Sequence, residues 1–277
     1  KRVLWNGSGG AGRQSRASYV GRTLHFWKKG FWSYIFSGCT LKCVFCQNRE
    51  IAEGKYGKEI SSRRLTEIFL ELQGKGAANI NLVTAGHFVV PVKEALLRAK
   101  EQGLAIPVIY NSGGYERVET LRFLEPVVDV WLPDFKYMDG RLAREYSKAE
   151  DYPQTAKKAL EEMVRQAGEC RFDKEGYIQK GVIVRHLILP GHTRDSMEIL
   201  SYLHKTYGEH IYISVMNQYT PLPQVKDLEP LNRKVTRREY RRVLDFALEL
   251  GIEQGYFQEG ETAKESFIPL FDYEGLE

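Results

Sequence analysis

The 277-residue sequence has few cysteines and no long apolar run. Four cysteines are too few for the disulfide framework of a small secreted scaffold. No apolar run approaches the ~18 residues that a membrane-spanning helix needs, and the mean hydropathy is −0.41. A content of 43% hydrophobic and 27% charged residues excludes a disordered or collagen-like chain. We therefore expect a soluble protein of a reducing compartment, with no membrane partner.

Acidic residues are missing from the first 49 positions, which contain nine Lys and Arg residues and carry a formal charge of +9. The remaining 228 residues have 31 basic and 36 acidic side chains, or −5. Residues 1–29 lack the apolar core of a signal peptide, and 7–18 are rich in Gly, Ser and Arg. We expect a shortened, basic N-terminal extension over 1–29 on a cytoplasmic protein, with an organellar transit peptide as the alternative. Residues 261–277 are expected to form a C-terminal tail.

Strand-like apolar runs alternate with amphipathic helical runs from residue 33 to about residue 250. Six runs are apolar on both faces, as is typical of parallel strands covered by helices: 33–37, 79–84, 106–110, 128–133, 181–189 and 211–215. The clearest helix begins at Thr236, where Glu239 completes a capping box, and ends before Gly251. Residues 139–180 predict extra helices and a polar turn at 173–176. The pattern predicts one α/β domain over 30–260, a partial (β/α)6 TIM-type barrel with parallel strands; a doubly wound sheet is the alternative.

Three of the four cysteines lie directly after the first predicted strand. Cys39, Cys43 and Cys46 are separated by three and two residues, and thiolates at this spacing suit an iron–sulfur cluster or zinc. Three ligands to a cubane leave one iron open for a small molecule, as in open catalytic zinc sites. The alternative is a structural zinc site completed by Cys170 or a histidine. The lack of a second spaced ligand pair counts against that alternative.

This C-x3-C-x2-C motif, with the aromatic Phe45 before its last cysteine, resembles the motif of the radical S-adenosylmethionine (SAM) enzymes. The run from Cys46 to Arg49 is similar to the C-x-N-R run of the pyruvate formate-lyase activating enzymes. The runs 79–84 and 217–219 resemble those of an uncharacterised branch of that group. The resemblance covers about residues 30–260 and implies that Cys39, Cys43 and Cys46 hold a [4Fe–4S] cluster that chelates SAM. It further implies reductive cleavage of SAM to a 5′-deoxyadenosyl radical that abstracts hydrogen. Phe45 would pack near the adenine, with simple core packing as its alternative.

The resemblance also places SAM-binding groups at the carboxyl ends of successive strands. After the second strand the chain has Thr84-Ala85-Gly86-His87 where the family has Gly-Gly-Glu. Gly86 can allow close backbone approach, but the carboxylate is missing, and His87 is either a substitute ligand or a loop histidine. The other expected SAM-binding residues follow later strands: Asn111, Ser112, Lys136, Arg185 and Asn217.

Charged side chains lie in or directly after two of these later strands. Because side chains alternate between the two faces of a sheet, their spacing predicts which of them share a face. Asp134 and Lys136 face the same way, so Lys136 can meet the SAM carboxylate while Asp134 moderates its charge. Arg185 lies inside an apolar strand and needs an anionic partner, either the SAM carboxylate or one of Asp134 and Asp129. His186 points to the opposite face, where we expect a helix.

The sequence therefore predicts a single-cluster radical SAM oxidoreductase that activates a glycyl radical enzyme. The alternatives are radical modification of RNA, a peptide or a small metabolite, and, outside enzymes, a zinc-binding interaction module. An electron donor such as a flavodoxin or ferredoxin is expected, and the basic segment with Lys28 and Lys29 suits an acidic donor. Nucleic-acid binding is not favoured, because the aromatic residues beside this segment fit entry into the core as readily as base stacking.

Overall fold

The computed structural model describes residues 32–257, and side chains within this range except those of 32–34 and 257. The predicted N-terminal extension and C-terminal tail lie outside the described residues. The strands are β1 Trp32–Ile35, β2 Ile80–Val83, β3 Val108–Ser112, β4 Val130–Pro133, β5 Arg171–Phe172, β6 Ile178–Leu187, β7 Tyr212–Met216 and β8 Gly255–Phe257. The α-helices are α1 Arg49–Ala52, α2 Ser62–Gly74, α3 Val89–Glu101, α4 Val118–Leu124, α5 Gly140–Ser147, α6 Tyr152–Ala167, α7 Thr193–Tyr207 and α8 Arg237–Glu249.

Seven strands form one parallel sheet in the order β1-β2-β3-β4-β6-β7-β8. The order follows the chain, as in a barrel, whereas a doubly wound sheet reverses its order at a switch point. Within 32–257 no ladder joins β8 to β1, so the barrel is open. The predicted partial barrel and its six strands are confirmed. The seventh parallel strand, β8, was not predicted, because three residues that begin with glycine are too short to show a strand period.

The long segment between β4 and β6 contains the predicted helices and a hairpin. The polar turn lies where expected, since the carboxylate of Asp173 accepts hydrogen bonds from the backbone N–H groups of Glu175 and Tyr177, both at 2.9 Å. The turn joins β5 to an early extension of β6, and these two strands pair antiparallel. The sequence did not predict this pairing, because β5 has only two residues.

The capping box predicted for α8 is present and reaches beyond its own helix. The Thr236 hydroxyl accepts a hydrogen bond from the Glu239 N–H at 3.2 Å, and the Glu239 carboxylate accepts from the Thr236 N–H at 2.8 Å. The same carboxylate accepts a 2.7 Å bond from the N–H of Gly191, in the loop after β6. The cap therefore ties α8 to the carboxyl end of the sheet.

The two faces of the sheet differ in what they bury. Trp131 and Tyr110, both almost fully buried, belong to the main core that helices cover. The alternate face carries a small apolar cluster that includes Ile109 and Ile183. Two residues further along the same strands, this face becomes polar, with Asn111 after Ile109 and Arg185 after Ile183. A polar site therefore lies at the carboxyl edge, above an apolar floor. No helix among the described residues is both long and apolar enough to cross a membrane.

Candidate functional site

The loop between β1 and α1, residues 36–48, is called the cysteine loop here. Its three cysteines are half-buried free thiols. The N–H of Cys39 donates to the carbonyl of Ala52 at 3.1 Å, and the N–H of Cys46 donates to the carbonyl of Cys43 at 3.1 Å. The loop is thus held to α1 at one end and closed into a turn around its last two cysteines.

The carboxyl end of α5 holds the middle of the cysteine loop. The N–H groups of Lys42 and Val44 donate to the carbonyls of Ser147 (3.2 Å) and Tyr146 (2.8 Å). Between them, the Ser147 hydroxyl donates to the sulfur of Cys43 at 3.0 Å. Cys43 is therefore fixed on both sides by backbone hydrogen bonds and at its sulfur by a side chain.

The thiols influence one another electrostatically. Burial, with a smaller contribution from the neighbouring Cys43, raises the pKa of Cys39 and raises the pKa of Cys46 to about 12. In the metal-free chain Cys39 and Cys46 are neutral thiols, so metal binding releases protons. Within 32–257 no group of three or more His, Cys, Asp and Glu side chains is already arranged to hold a metal ion. The cysteine loop thus gathers three soft donors without pre-arranging them.

Cys170 lies far from the cysteine loop along the strands. It packs against Gly181, where a Cβ would lie 2.5 Å from its sulfur, and it donates to the carbonyl of Val182 at 3.6 Å. Gly181 pairs with Val130, the first residue of β4, so Cys170 lies at the amino end of the parallel strands. The cysteine loop follows a carboxyl end. The geometry offers no support for Cys170 as a fourth ligand.

Charged side chains meet at the ends of β4 and β6. Lys136 Nζ donates to Asp134 Oδ2 at 2.6 Å, and Arg185 Nη2 lies 2.7 Å from Asp134 Oδ1. Arg185 Nη2 also donates to Asn111 Oδ1 at 2.6 Å, at the end of β3. The common facing of Asp134 and Lys136 is thus observed. The anionic partner of Arg185 is Asp134, whereas Asp129 accepts from the backbone of Val108 at 2.8 Å.

Burial and charge oppose each other within this group. Burial disfavours the ionised form of Asp134, but the charges of Arg185 and Lys136 outweigh it and lower the pKa of this carboxyl. Likewise, burial opposes the charge of Lys136, yet Asp134 holds its pKa above the usual value. We call the set Asn111, Ser112, Asp134, Lys136 and Arg185 the polar edge.

Gly113 joins the polar edge to the cysteine loop. A Cβ at this position would lie 2.9 Å from Leu41 Cδ1 of the cysteine loop and 3.8 Å from Lys136 Cε. The missing side chain therefore lets the turn after β3 fit between the two groups. The cysteine loop and the polar edge therefore lie next to each other at the carboxyl edge of the sheet.

Arg185 Nε is a buried polar atom at the polar edge that has no hydrogen-bond partner among the described residues. Buried polar atoms are normally hydrogen-bonded, so this atom fits a polar ligand. On the helix-covered face, Tyr110 reaches the loop after β2, where a Cβ on Gly86 would lie 3.7 Å from its hydroxyl. His87, next along that loop, is exposed and lies beside Gly38, where a Cβ would be 3.2 Å from His87 Cδ2.

Glu116 lies beside the polar edge but was not predicted from the sequence as a functional residue. Its side chain is buried, with 8% exposed, and the Ser112 hydroxyl donates to its carboxylate at 2.9 Å. No described Lys, Arg or His lies within ion-pair distance of it, and burial raises its pKa to about 7. The one sequence signal was an acidic residue four positions after the end of a predicted strand. An exposed turn has the same pattern, so this signal does not indicate a buried carboxylate.

The remaining predicted residues are placed as follows. Phe45 is half-buried and packs edge-on against Tyr219, with ring centroids 6.1 Å apart. Asn217 directly follows β7 and is half-buried. His186 Nδ1 lies 2.8 Å from the Phe135 carbonyl, and its Nε2 lies 2.9 Å from the Ser196 hydroxyl of α7, so His186 faces a helix as expected.

The chain is similar to known proteins in sequence and in fold. The chain is 29% identical over 228 residues to the uncharacterized protein MJ0674 of Methanocaldococcus jannaschii, which covers 80% of this chain and 63% of that one. Streptococcus suis SuiB bound to the precursor peptide SuiA has a TM-score of 0.56 at 13% identity, covering 83% of this chain and 48% of SuiB. HydG, a maturase of the [FeFe]-hydrogenase, has a TM-score of 0.54 at 15% identity, covering 80% of this chain and 50% of HydG.

The chain therefore spans less than two thirds of the length of each of these proteins. At such low identity the two solved structures show a common fold alone. Residues 33–203 match the model of the Radical SAM superfamily, and this match covers more than half of the chain and includes all three cysteines of the cysteine loop. The protein belongs to the radical SAM superfamily, whose members use a [4Fe–4S] cluster and SAM.

Proposed function

We propose that this radical SAM enzyme activates a glycyl radical enzyme by removing a hydrogen atom from a backbone glycine of that partner. The observation that carries the proposal is the cysteine loop at the open carboxyl edge of a parallel barrel, beside half-buried charged groups that suit SAM. The similarity of the run from Cys46 to Arg49 to that of the activating enzymes supports the choice of partner.

Cys39, Cys43 and Cys46 are proposed as the cluster ligands. A [4Fe–4S] cluster with three protein thiolates leaves one iron open for SAM and supplies the electron for its reductive cleavage. The donor set fits, since three half-buried free thiols lie on one loop that backbone hydrogen bonds hold to α1 and α5.

The polar edge is proposed to bind the amino-acid end of SAM. Lys136 has three N–H donors and gives one to Asp134, while Arg185 Nε is buried without a partner among the described residues. Both can therefore donate to the carboxylate of SAM without losing Asp134. Asn111 and Ser112 offer amide and hydroxyl groups to the ribose or the carboxylate.

Glu116 is proposed to receive the ammonium group of SAM. A buried carboxylate without a cationic partner is costly, and the ammonium would supply the missing charge. This carboxylate would take the place of the one that the turn after β2 lacks. Gly86 is proposed to allow close approach of SAM, Phe45 to pack near the adenine, and Asn217 to contact SAM from the end of β7.

A flavodoxin or ferredoxin is proposed as the electron donor. Lys28 and Lys29, on which we base the choice of an acidic donor, lie outside the described residues. Neutralising both should slow reduction of the cluster by such a donor and leave SAM binding unchanged, because steering by charge acts on encounter. An unchanged rate of reduction would count against this donor site.

The test of the proposed function starts from the anaerobically reconstituted protein. Reduction in the presence of SAM should release 5′-deoxyadenosine. A fully loaded, reduced sample without this product would overturn the reductive cleavage, and a colourless protein that binds zinc instead would support the interaction module.

The partner is tested with a candidate glycyl radical enzyme that has been labelled with deuterated glycine. Deuterium should appear in 5′-deoxyadenosine, and the partner should show the doublet of a glycyl radical in its electron paramagnetic resonance spectrum. Product without label, or label acquired from RNA, another peptide or a small metabolite, would overturn glycyl activation and keep the radical chemistry.

A further inference from the structure

A buried chain of two hydroxyl groups ends on the sulfur of Cys43. Tyr137 Oη lies 2.7 Å from Ser147 Oγ, and Ser147 Oγ donates to Cys43 Sγ at 3.0 Å. Since the single proton of Ser147 points to the sulfur, the Tyr137 hydroxyl is the donor to Ser147. The chain therefore has one direction, from Tyr137 through Ser147 to Cys43.

Both hydroxyl groups of this hydrogen-bonded chain are shielded from water. Tyr137 is 0% exposed and Ser147 is 1% exposed, so water does not compete for either hydroxyl. Burial raises the pKa of Tyr137 well above its usual value, so its phenol keeps the proton that it donates. In a medium of low dielectric constant, successive hydrogen bonds strengthen one another.

Cys43 differs in this respect from the other two thiols. For Cys39 and Cys46, hydrogen bonding by the backbone of Leu41 and Asn48 lowers the thiol pKa, but burial outweighs it. Cys43 receives a side-chain hydroxyl, and the backbone of the same Ser147 also accepts the N–H of Lys42. Ser147 thus fixes both the position of Cys43 and the polarity around its sulfur.

We propose that Ser147, oriented by Tyr137, raises the reduction potential of the cluster through its hydrogen bond to Cys43. The inference rests on the proposed role of Cys43 as a cluster ligand. Reduction adds a negative charge that the cluster shares with its sulfur ligands, and a donor aimed at a sulfur stabilises the reduced state more than the oxidised one. Ser147 and Tyr137 are positioning residues, since they act through Cys43.

The experiment measures the reduction potential of the reconstituted enzyme by a titration monitored with electron paramagnetic resonance. Ser147→Ala removes the donor. We expect the equilibrium constant for reduction to fall about tenfold, equivalent to about 59 mV for a one-electron couple. Ser147→Thr keeps a hydroxyl and should restore most of the potential. Tyr137→Phe leaves Ser147 in place without its polarising partner and should shift the potential in the same direction by less.

Ser196→Ala is the matched control. Ser196 is a buried serine with 2% exposure, and it contacts His186 instead of a cysteine. Its loss should leave the potential unchanged. Pulsed spectra of the reduced cluster in deuterated buffer give a second readout, because one exchangeable proton near the cluster should disappear in Ser147→Ala alone.

The outcomes separate the possible roles. Equal potentials for wild type and Ser147→Ala, or no recovery in Ser147→Thr, would overturn the proposal and leave Ser147 with a structural role. If Ser147→Ala does not fold, Tyr137→Phe decides, since an unchanged potential there would also overturn it. Failure of Cys43→Ala to reduce the iron content would instead overturn Cys43 as a ligand, so the two proposals fail in different measurements.

Discussion

The cysteine loop and the polar edge lie side by side, but they are assembled in different ways. The three thiols fall within eight consecutive residues, and backbone hydrogen bonds to α1 and α5 hold them. The polar edge collects side chains from three strands, and Arg185 and Asn111 are 74 positions apart in the chain. One side of the site depends on local spacing, whereas the other depends on ion pairs between distant residues.

This difference implies that the two sides can be broken separately. Loss of a thiol should remove a proposed ligand of the cluster but leave the ion pairs of the barrel intact. Loss of a charge at the polar edge leaves its partners buried and unbalanced, so it costs stability as well as affinity. Substitutions in the cysteine loop should therefore reduce metal binding without lowering the unfolding free energy. Substitutions in the polar edge should lower the unfolding free energy without reducing metal binding.

The largest effect is expected from the cysteine loop. Replacing Cys39, Cys43 or Cys46 with Ala should abolish stable cluster binding and the production of 5′-deoxyadenosine, because each thiolate is a proposed ligand of the cluster. Iron and sulfide content after reconstitution provides the measurement. Cys170→Ala is the matched control and should keep both, since it lies at the opposite end of the strands. Iron retained in any of the three loop variants would contradict the assignment.

The second effect belongs to the polar edge. Asp134→Asn leaves Lys136 and Arg185 partly buried without their carboxylate, so the metal-free chain should lose about 3–5 kcal/mol of unfolding free energy. Urea titration measures this loss. Glu198→Gln, which breaks the exposed pair with Arg194, is the control and should cost about 0–1 kcal/mol. Equal losses in the two variants would refute a buried network, and the iron content should stay at the wild-type level in both.

Sequence patterns predicted the features that depend on neighbouring residues better than the contacts between residues far apart in the chain. The cysteine motif, the common facing of Asp134 and Lys136, and the helix behind His186 all follow from spacing of a few residues. For Arg185 the apolar strand required an anion, but only the fold selects Asp134 over Asp129. Glu116 escaped prediction for the same reason, since it lies in the loop between β3 and α4 and only the tertiary fold buries it.

A third prediction concerns the pH dependence of Glu116. Its folded pKa of about 7 lies above the ordinary value of 4.5. Below pH 4.5 the Glu116 carboxyl is protonated in both the folded and the unfolded state, so it does not lower the free energy of unfolding. Between these values the unfolded state ionises first, so wild-type stability falls as pH rises, by about 3 kcal/mol once pH exceeds 7. Glu116→Gln should therefore match the wild-type unfolding free energy at pH 4 and exceed it at pH 8.

The same variant should weaken SAM binding about tenfold at pH 8, because it removes a charged hydrogen-bond partner. Equilibrium dialysis of the loaded enzyme measures this affinity, and a SAM analogue without the amino group should bind both proteins equally. Glu119→Gln, in the exposed first turn of α4, is the control for both readouts. A gain in stability without any loss of SAM affinity would leave Glu116 buried for structural reasons and refute its role toward the ammonium.

The smallest effect tests the contact between the two sides. A Cβ at Gly113 would lie 2.9 Å from Leu41 Cδ1, which is the end of a flexible side chain, so Leu41 can shift. Gly113→Ala should cost about 1 kcal/mol of unfolding free energy and weaken SAM binding a few-fold, with full iron content. Leu41→Ala in the same chain should restore the affinity, because it removes the colliding atoms. Affinity that stays low in the double variant would mean that the backbone turn itself, and not its contact with the cysteine loop, shapes the polar edge.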